Sequence, residues 1–196
     1  EGGTRKCISV QLPEPTDEKS EAFKAGYTTI AEITKERIRR AGEKIKKENS
    51  EDTINNLDIG FKAFKLDSSN ITAWDGNPDN LEQQLDVFAN NIKTNRTEED
   101  ILFEILLKYG LDLTVPIEEK NIAGKTVYSI GLGTLFICLA DGITPQISEG
   151  IGAWKQELNP SICRAIFKDS GFASDKDKVN AMQILKRFGI EEVNSI

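Results

Sequence analysis

Ile162-Cys163-Arg164-Ala165-Ile166-Phe167 is a nearly continuous apolar run of strand length, and its surroundings decide the fold. Before it, Thr144 and Pro145 open a helix that carries Ile147, Ile151, Trp154 and Leu158 on one stripe. After it, Ser174 caps a helix bearing Val179, Met182, Leu185 and Phe188, closed by Gly189, and residues 191–196 read as a last short strand. A strand apolar on both faces must be covered on both. Separated by amphipathic helices, such strands pair in parallel through right-handed crossovers. Upstream, 114–122, 125–130 and 134–140 read as strands joined by short Gly-containing turns, an antiparallel meander. Residues 96–196 are therefore expected to form a compact α/β domain with a mixed sheet.

Ahead of the meander, Thr97 caps a helix with Glu98, Glu99 and Asp100 at its positive end and Leu102, Ile105, Leu106 and Tyr109 along it; Gly110 suits a left-handed stop. Asn77 and Pro78 begin another, with Leu81, Leu85, Phe88, Ala89 and Ile92 on one face. Residues 59–66 read as a strand, stopped by Asp67-Ser68-Ser69-Asn70, whose side chains bond their own backbone. At the N-terminus, 6–12 reads as a buried strand broken by Pro13 and Pro15, and 17–24 as a short polar helix before Gly26. Thr28 or Thr29 then caps a long helix with Ile30, Ile33, Ile38, Ala41 and Ile45 as its apolar stripe. That first strand has no sheet of its own, so its neighbours must come from later strands or from other chain.

With 38% hydrophobic and 29% charged residues, the composition is that of a globular protein. No apolar run approaches the roughly 20 residues a membrane helix needs. The chain opens on Glu1-Gly2-Gly3-Thr4 and Met182 is its only methionine, which suits a piece of a longer protein. A net charge of −7 argues against a broad phosphate-gripping face. Lys35, Arg37, Arg39, Arg40, Lys44, Lys46 and Lys47 crowd the long helix, but Glu32, Glu36, Glu43 and Glu48 lie three or four residues away, which favours ion-pair lacing over a phosphate track. Cys7, Cys138 and Cys163 fall in apolar runs; with wide spacings and no histidine, they read as buried reduced thiols rather than metal ligands, disulfides or nucleophiles.

Five stretches resemble one family. They are Arg5-Lys6-Cys7-Ile8-Ser9-Val10-Gln11-Leu12-Pro13-Glu14-Pro15, Glu32-Ile33-Thr34-Lys35-Glu36-Arg37-Ile38-Arg39-Arg40-Ala41-Gly42, the stretch from Leu57 to Trp74, Thr97-Glu98-Glu99-Asp100-Ile101-Leu102-Phe103-Glu104-Ile105-Leu106-Leu107, and Phe167-Lys168-Asp169-Ser170-Gly171-Phe172-Ala173-Ser174-Asp175. In this order they are similar to the region at and beyond the end of the catalytic domain in the modification (Mod) subunits of type III restriction–modification systems, which are adenine-specific DNA methyltransferases.

The resemblance implies an α/β chain in three parts. Residues 1–55 are the tail of the methyltransferase domain, a strand–helix remnant of its sheet; 56–95 are a connector; 96–196 are a C-terminal α/β domain. It implies a longer cytoplasmic protein that methylates adenine N6 in a specific DNA site with S-adenosylmethionine, and that assembles with a second Mod subunit and the Res subunit. This piece is expected to be inactive and to bind no cofactor by itself. Such chemistry needs a glycine-rich turn after the first strand and a polar-plus-aromatic clamp for the flipped base, typically Asp-Pro-Pro-Tyr. There is no Pro-Pro pair here, Gly131 and Gly133 lie between two strands, and Gly150 and Gly152 lie in a helical pattern.

One cofactor contact is a candidate. The family's second strand ends in an acidic residue that holds the cofactor ribose, and Gln11 stands at that place. An amide bonds a hydroxyl without charge assistance, so Gln11 is either a weakened ribose ligand or a polar strand-end residue with none. Ala123-Gly124-Lys125-Thr126 looks like the end of a phosphate loop but sits in a hairpin behind Glu119, and Asp169-Ser170-Gly171 has no histidine to activate its serine. Assembly is the role left for 96–196, with Trp154 either a contact anchor or a core residue beside Ile147 and Ile151. The rival reading is a standalone interaction module without enzymatic activity.

Overall fold

The computed structural model describes residues 6–49, 58–73 and 91–196. The chain divides into two units, Glu1–Leu66 and Asp67–Ile196.

The second unit is built on a five-stranded sheet: β1 (Ile117–Ile122), β2 (Lys125–Ile130), β3 (Leu135–Cys138), β4 (Arg164–Phe167) and β5 (Glu192–Ser195), lying side by side in chain order. β1, β2 and β3 pair antiparallel, while β3, β4 and β5 pair parallel, the mixed sheet the sequence predicts. The β1–β2 turn puts Ala123 at φ 50° and Gly124 at φ 81°, the two positive values a two-residue hairpin turn uses to match strand twist. Three helices of this unit are numbered after the two of the first unit given below: α3 (Glu98–Lys108), α4 (Pro145–Leu158) and α5 (Asp175–Arg187).

Strand alternation sorts the core into two layers. Val127, Phe136, Cys138, Ala165 and Phe167 face α4 and α5, packing with Ile147, Ile151, Trp154 and Leu185. Tyr128, Ile130, Leu135, Ile137 and Ile166 face α3 through Ile101, Leu102, Ile105 and Leu106. Both crossovers run the same way along the sheet, so α4 and α5 share one side of it. Trp154 is 5% exposed and tilts against Phe136 with ring centroids 5.4 Å apart, a core residue rather than a contact anchor.

The helix boundaries follow their sequence signals. Thr97 and Asp100 form a reciprocal capping box, and Ser174 accepts from the Asp177 amide. Gly110 (φ 67°) and Gly189 (φ 75°) close α3 and α5 in the same way. Gly110 N–H reaches Leu107 and Leu111 N–H reaches Leu106; Gly189 N–H reaches Lys186 and Ile190 N–H reaches Leu185. Gly150 and Gly152 have a packing reason. A Cβ on the first would fall 2.3 Å from Ile122, and on the second 2.3 Å from the Phe188 ring, so α4 approaches the β1 end and α5 more closely than any side chain permits.

The first unit holds α1 (Glu21–Lys24), capped by Ser20, and α2 (Ile30–Glu48), capped by Thr29. Thr16 N–H to Thr28 O (3.0 Å), Ile30 N–H to Glu14 O (3.0 Å) and Thr16 Oγ1 to Tyr27 O (2.7 Å) cinch the loop that carries α1. Gly42 is the buried residue of α2, against Ile59, while the stripe residues Ile38 and Ile45 stay 37% and 38% exposed.

Two expected strands do not form. Residues 6–12 make no ladder, and Ile8, Val10 and Leu12 are 90%, 92% and 75% exposed. Residues 59–66 make none either, with Phe64 51% and Leu66 99% exposed. The alternation is present, but a strand needs a partner edge, and the described residues of this unit supply none. Cys7 is exposed for the same reason; Cys138 is buried, Cys163 is half-buried, and all three are free thiols. The helix expected after Pro78 lies outside the described residues, apart from Ile92, which bridges Ile71.

Candidate functional site

Two polar constellations stand out in the second unit. The first joins Asp67-Ser68-Ser69-Asn70 to α3. Asn70 N–H donates to Glu104 Oε2 at 2.7 Å, Ser69 Oγ donates to Glu104 Oε1 at 2.5 Å, and Lys108 Nζ completes the carboxylate at 2.8 Å. Asn70 Nδ2 reaches the Asp100 carbonyl at 2.9 Å, and Asn70 is buried. Arg96 pairs with Asp67 at 2.7 Å, and Lys93 Nζ donates to Ser69 O and Ser68 Oγ. Partial burial pushes the Glu104 carboxyl up, but the bonds from Lys108, Ser69 and the Asn70 amide outweigh it and hold the group down at about 2. The connector block and the α3 block, two of the five family-like stretches, are thus fastened together. Sequence reasoning missed Glu104, because a partner 34 residues away leaves no local signal.

The second constellation lies at the carboxyl ends of β3, β4 and β5, where open α/β sheets receive ligands. Here the ends are closed. Lys168 reaches Asp141 at 2.7 Å; Asp169 is paired with Lys178 at 2.5 Å, and these bonds, with one from Ser195, hold its carboxyl below the usual range. Asp169–Gly171 forms a short 3-10 turn. Gly171 O accepts from Ile143 N–H, and a Cβ on Gly171 would sit 2.5 Å from the Ala140 carbonyl. Ser170 has no base and Asp169 is committed to Lys178, so the turn ends the strand rather than presenting a nucleophile.

Two other groups are held in their uncharged forms. Burial, helped by Glu98, pushes the Tyr128 phenol up to about 12, and burial pushes the Cys163 thiol up to about 11. Among the described residues no group of three or more His, Cys, Asp or Glu side chains is placed to hold a metal ion. No helix among them is long and apolar enough to cross a membrane.

In the first unit, Gln11 is exposed, and its amide donates to Leu12 O and Glu14 Oε2, both at 3.4 Å. Gly131 and Gly133 turn between β2 and β3, and Gly150 and Gly152 are pressed against Ile122 and Phe188. On α2, Glu36 pairs with Arg39 and Arg40, Glu43 with Lys46, Glu48 with Lys44 and Glu32 with Lys35, the ion-pair lacing the spacing predicts. The charges of the two units differ. The stretch 67–196 carries 12 basic and 20 acidic side chains, against 13 and 12 in 1–66.

The fold and these sites define an α/β scaffold built on a mixed five-stranded sheet, with ion pairs fastening its loops and strand ends. No protein-family model matches the chain. It is 32% identical to the Mod subunit of the type III restriction–modification enzyme EcoP15I from Escherichia coli, over 173 residues, covering 86% of this chain and 24% of that protein. It is 27% identical to the EcoPI Mod subunit of Escherichia phage P1 over 181 residues, 90% of this chain and 24% of the relative. The StyLTI Mod subunit of Salmonella typhimurium shares 38% identity over 66 residues, 34% of the chain and 10% of its own length. The chain is a homologue of the type III restriction–modification Mod subunits, and it spans about a quarter of the length of the EcoP15I and EcoPI subunits.

Proposed function

We propose that this chain is the C-terminal part of a site-specific DNA adenine-N6 methyltransferase, the Mod subunit of a type III restriction–modification system, and that its second unit serves subunit assembly. The observation that carries the reading is similarity to two Mod subunits over 86% and 90% of the chain. The acidic balance of 67–196 disfavours a phosphate grip and leaves protein contact as its role.

In the whole subunit, 1–55 would complete the methyltransferase sheet, with Ile8, Val10 and Leu12 buried between its neighbours. Gln11 would reach the ribose of S-adenosylmethionine only once that strand is paired. The partners are a second Mod subunit and Res, and DNA is engaged through the longer protein.

Deleting residues 96–196 from the full-length subunit tests the assembly role. The truncated subunit is expected to lose either its dimer on sedimentation or its capture of Res. If it keeps both, the assembly role is wrong. The isolated 196-residue chain should transfer no radiolabelled methyl to genomic DNA; transfer above a no-protein control would show that the chemistry resides here after all.

A further inference from the structure

The two edges of the sheet are unlike. β1 exposes Glu118, Glu119 and Lys120, charges that deter strand addition. β5 holds its side chains back over its own sheet: Glu192 is drawn to Arg164 at 2.6 Å, Asn194 donates to the Tyr109 hydroxyl at 3.0 Å, and Ser195 bonds Asp169. No lysine or proline lies in 190–196, and no described strand covers its outer side.

Backbone parity shows which groups face out. Ile196 N–H donates to Phe167 O and Ile196 O accepts from Asp169 N–H, so its peptide groups point into the sheet. Alternation sends those of Asn194 and Glu192 inward as well, and leaves those of Val193 and Ser195 pointing away from β4. An antiparallel mate must pair outward-facing residues with outward-facing residues.

We propose that β5 is an edge for self-assembly. Two copies of this chain pair β5 antiparallel about a two-fold axis at Val193, merging their sheets into one. In this register Val193 meets Val193 of the partner subunit, Glu191 meets Ser195 of the partner subunit, and Glu192 meets Asn194 of the partner subunit. No like charges oppose. Shifting the axis to Glu192 would set two carboxylates face to face, and shifting it to Asn194 drops the Glu191–Ser195 pair. Val193 packs toward the α4–α5 core. An isologous contact of this kind closes after two subunits. The inference rests on the assembly reading above and names its partner as a second copy.

The test uses the 196-residue chain with Asn194→Glu and Asn194→Lys. Both remove the Asn194 amide that bonds Tyr109 and differ in the charge set opposite Glu192. Sedimentation equilibrium should give dimer dissociation constants roughly tenfold apart, the lysine variant tighter and the glutamate variant weaker than the parent chain. In a Cys7→Ser background, Val193→Cys should form a disulfide-linked dimer on oxidation, since the axis brings the two positions within bridging distance. A chain monomeric at every concentration, or two Asn194 variants with equal constants and no cross-link, overturns the proposal. If the deletion of 96–196 abolishes Mod pairing while the two Asn194 variants behave alike, the assembly reading stands and β5 is not its edge.

Discussion

Glu104 accepts the backbone N–H of Asn70 at 2.7 Å across 34 residues of sequence, and this bond fastens the Asp67–Asn70 stretch to α3. The carboxylate is 15% exposed and saturated by a hydroxyl, an amide and an ammonium. Removing it strands the Asn70 amide as well as the pair with Lys108.

The first prediction follows from its titration. The folded-state carboxyl lies at about 2, against 4.5 for the free side chain. As pH falls, the unfolded chain takes up the proton first. The stabilisation is therefore complete above the unfolded value and lost as pH drops from 4.5 towards 2. Glu104→Gln is expected to cost about 1–3 kcal/mol at neutral pH. Urea denaturation should show the gap between wild type and variant closing through that acid window. An unchanged gap at the acid end would mean that the carboxylate charge is not what holds the connector.

Gly152 yields a second. A methyl group there meets the Phe188 ring at 2.3 Å. Gly152→Ala should destabilise by roughly 1–3 kcal/mol, because overpacking forces either α4 or the ring to move. Phe188→Leu in the same chain should recover part of the loss, so the double variant will be less destabilised than the two single effects predict. Strict additivity in thermal melts would show that the two positions are not in contact.

A third concerns α2. Gly42 is its buried residue, whereas β4 is buried from Ala165 to Phe167. Amide exchange in α2 should run at least 100-fold faster than in β4, a difference on the order of 3 kcal/mol in opening free energy. Equal protection in a demonstrated monomer would mean that the Ile38 and Ile45 stripe has found a cover within the chain.

Much of the second unit was legible because its signals are local. Lys125–Ile130 is bounded by two Gly-containing turns and forms as read, and the caps at Thr97 and Ser174 sit next to the helices they start. The strand ends were less so: β1 begins at Ile117 rather than at 114, since Asp112 and Thr114 bond each other in a turn first. What failed was pairing. Ile8, Val10 and Leu12 alternate as a strand should, but alternation reports a preference for a pleated surface and cannot say whether a neighbouring edge exists. Asp67 to Asn70 was read as a strand exit bonding its own backbone. Asp67 and Ser69 do bond Ser68 N–H and Ile71 N–H, yet the same stretch also holds α3, a long-range role that no local rule carries.

Because spatial order in the sheet repeats chain order, the second unit can be assembled in the direction of synthesis. The β1–β2 hairpin closes on contacts a few residues apart, β3 adds to it through a short turn, and each crossover helix then delivers one more strand to the same growing side. At no stage must a strand be inserted between two already paired. A nascent chain emerging residue by residue therefore never has to undo an earlier pairing, and the last of these five strands to leave the ribosome is the one that completes the ladder.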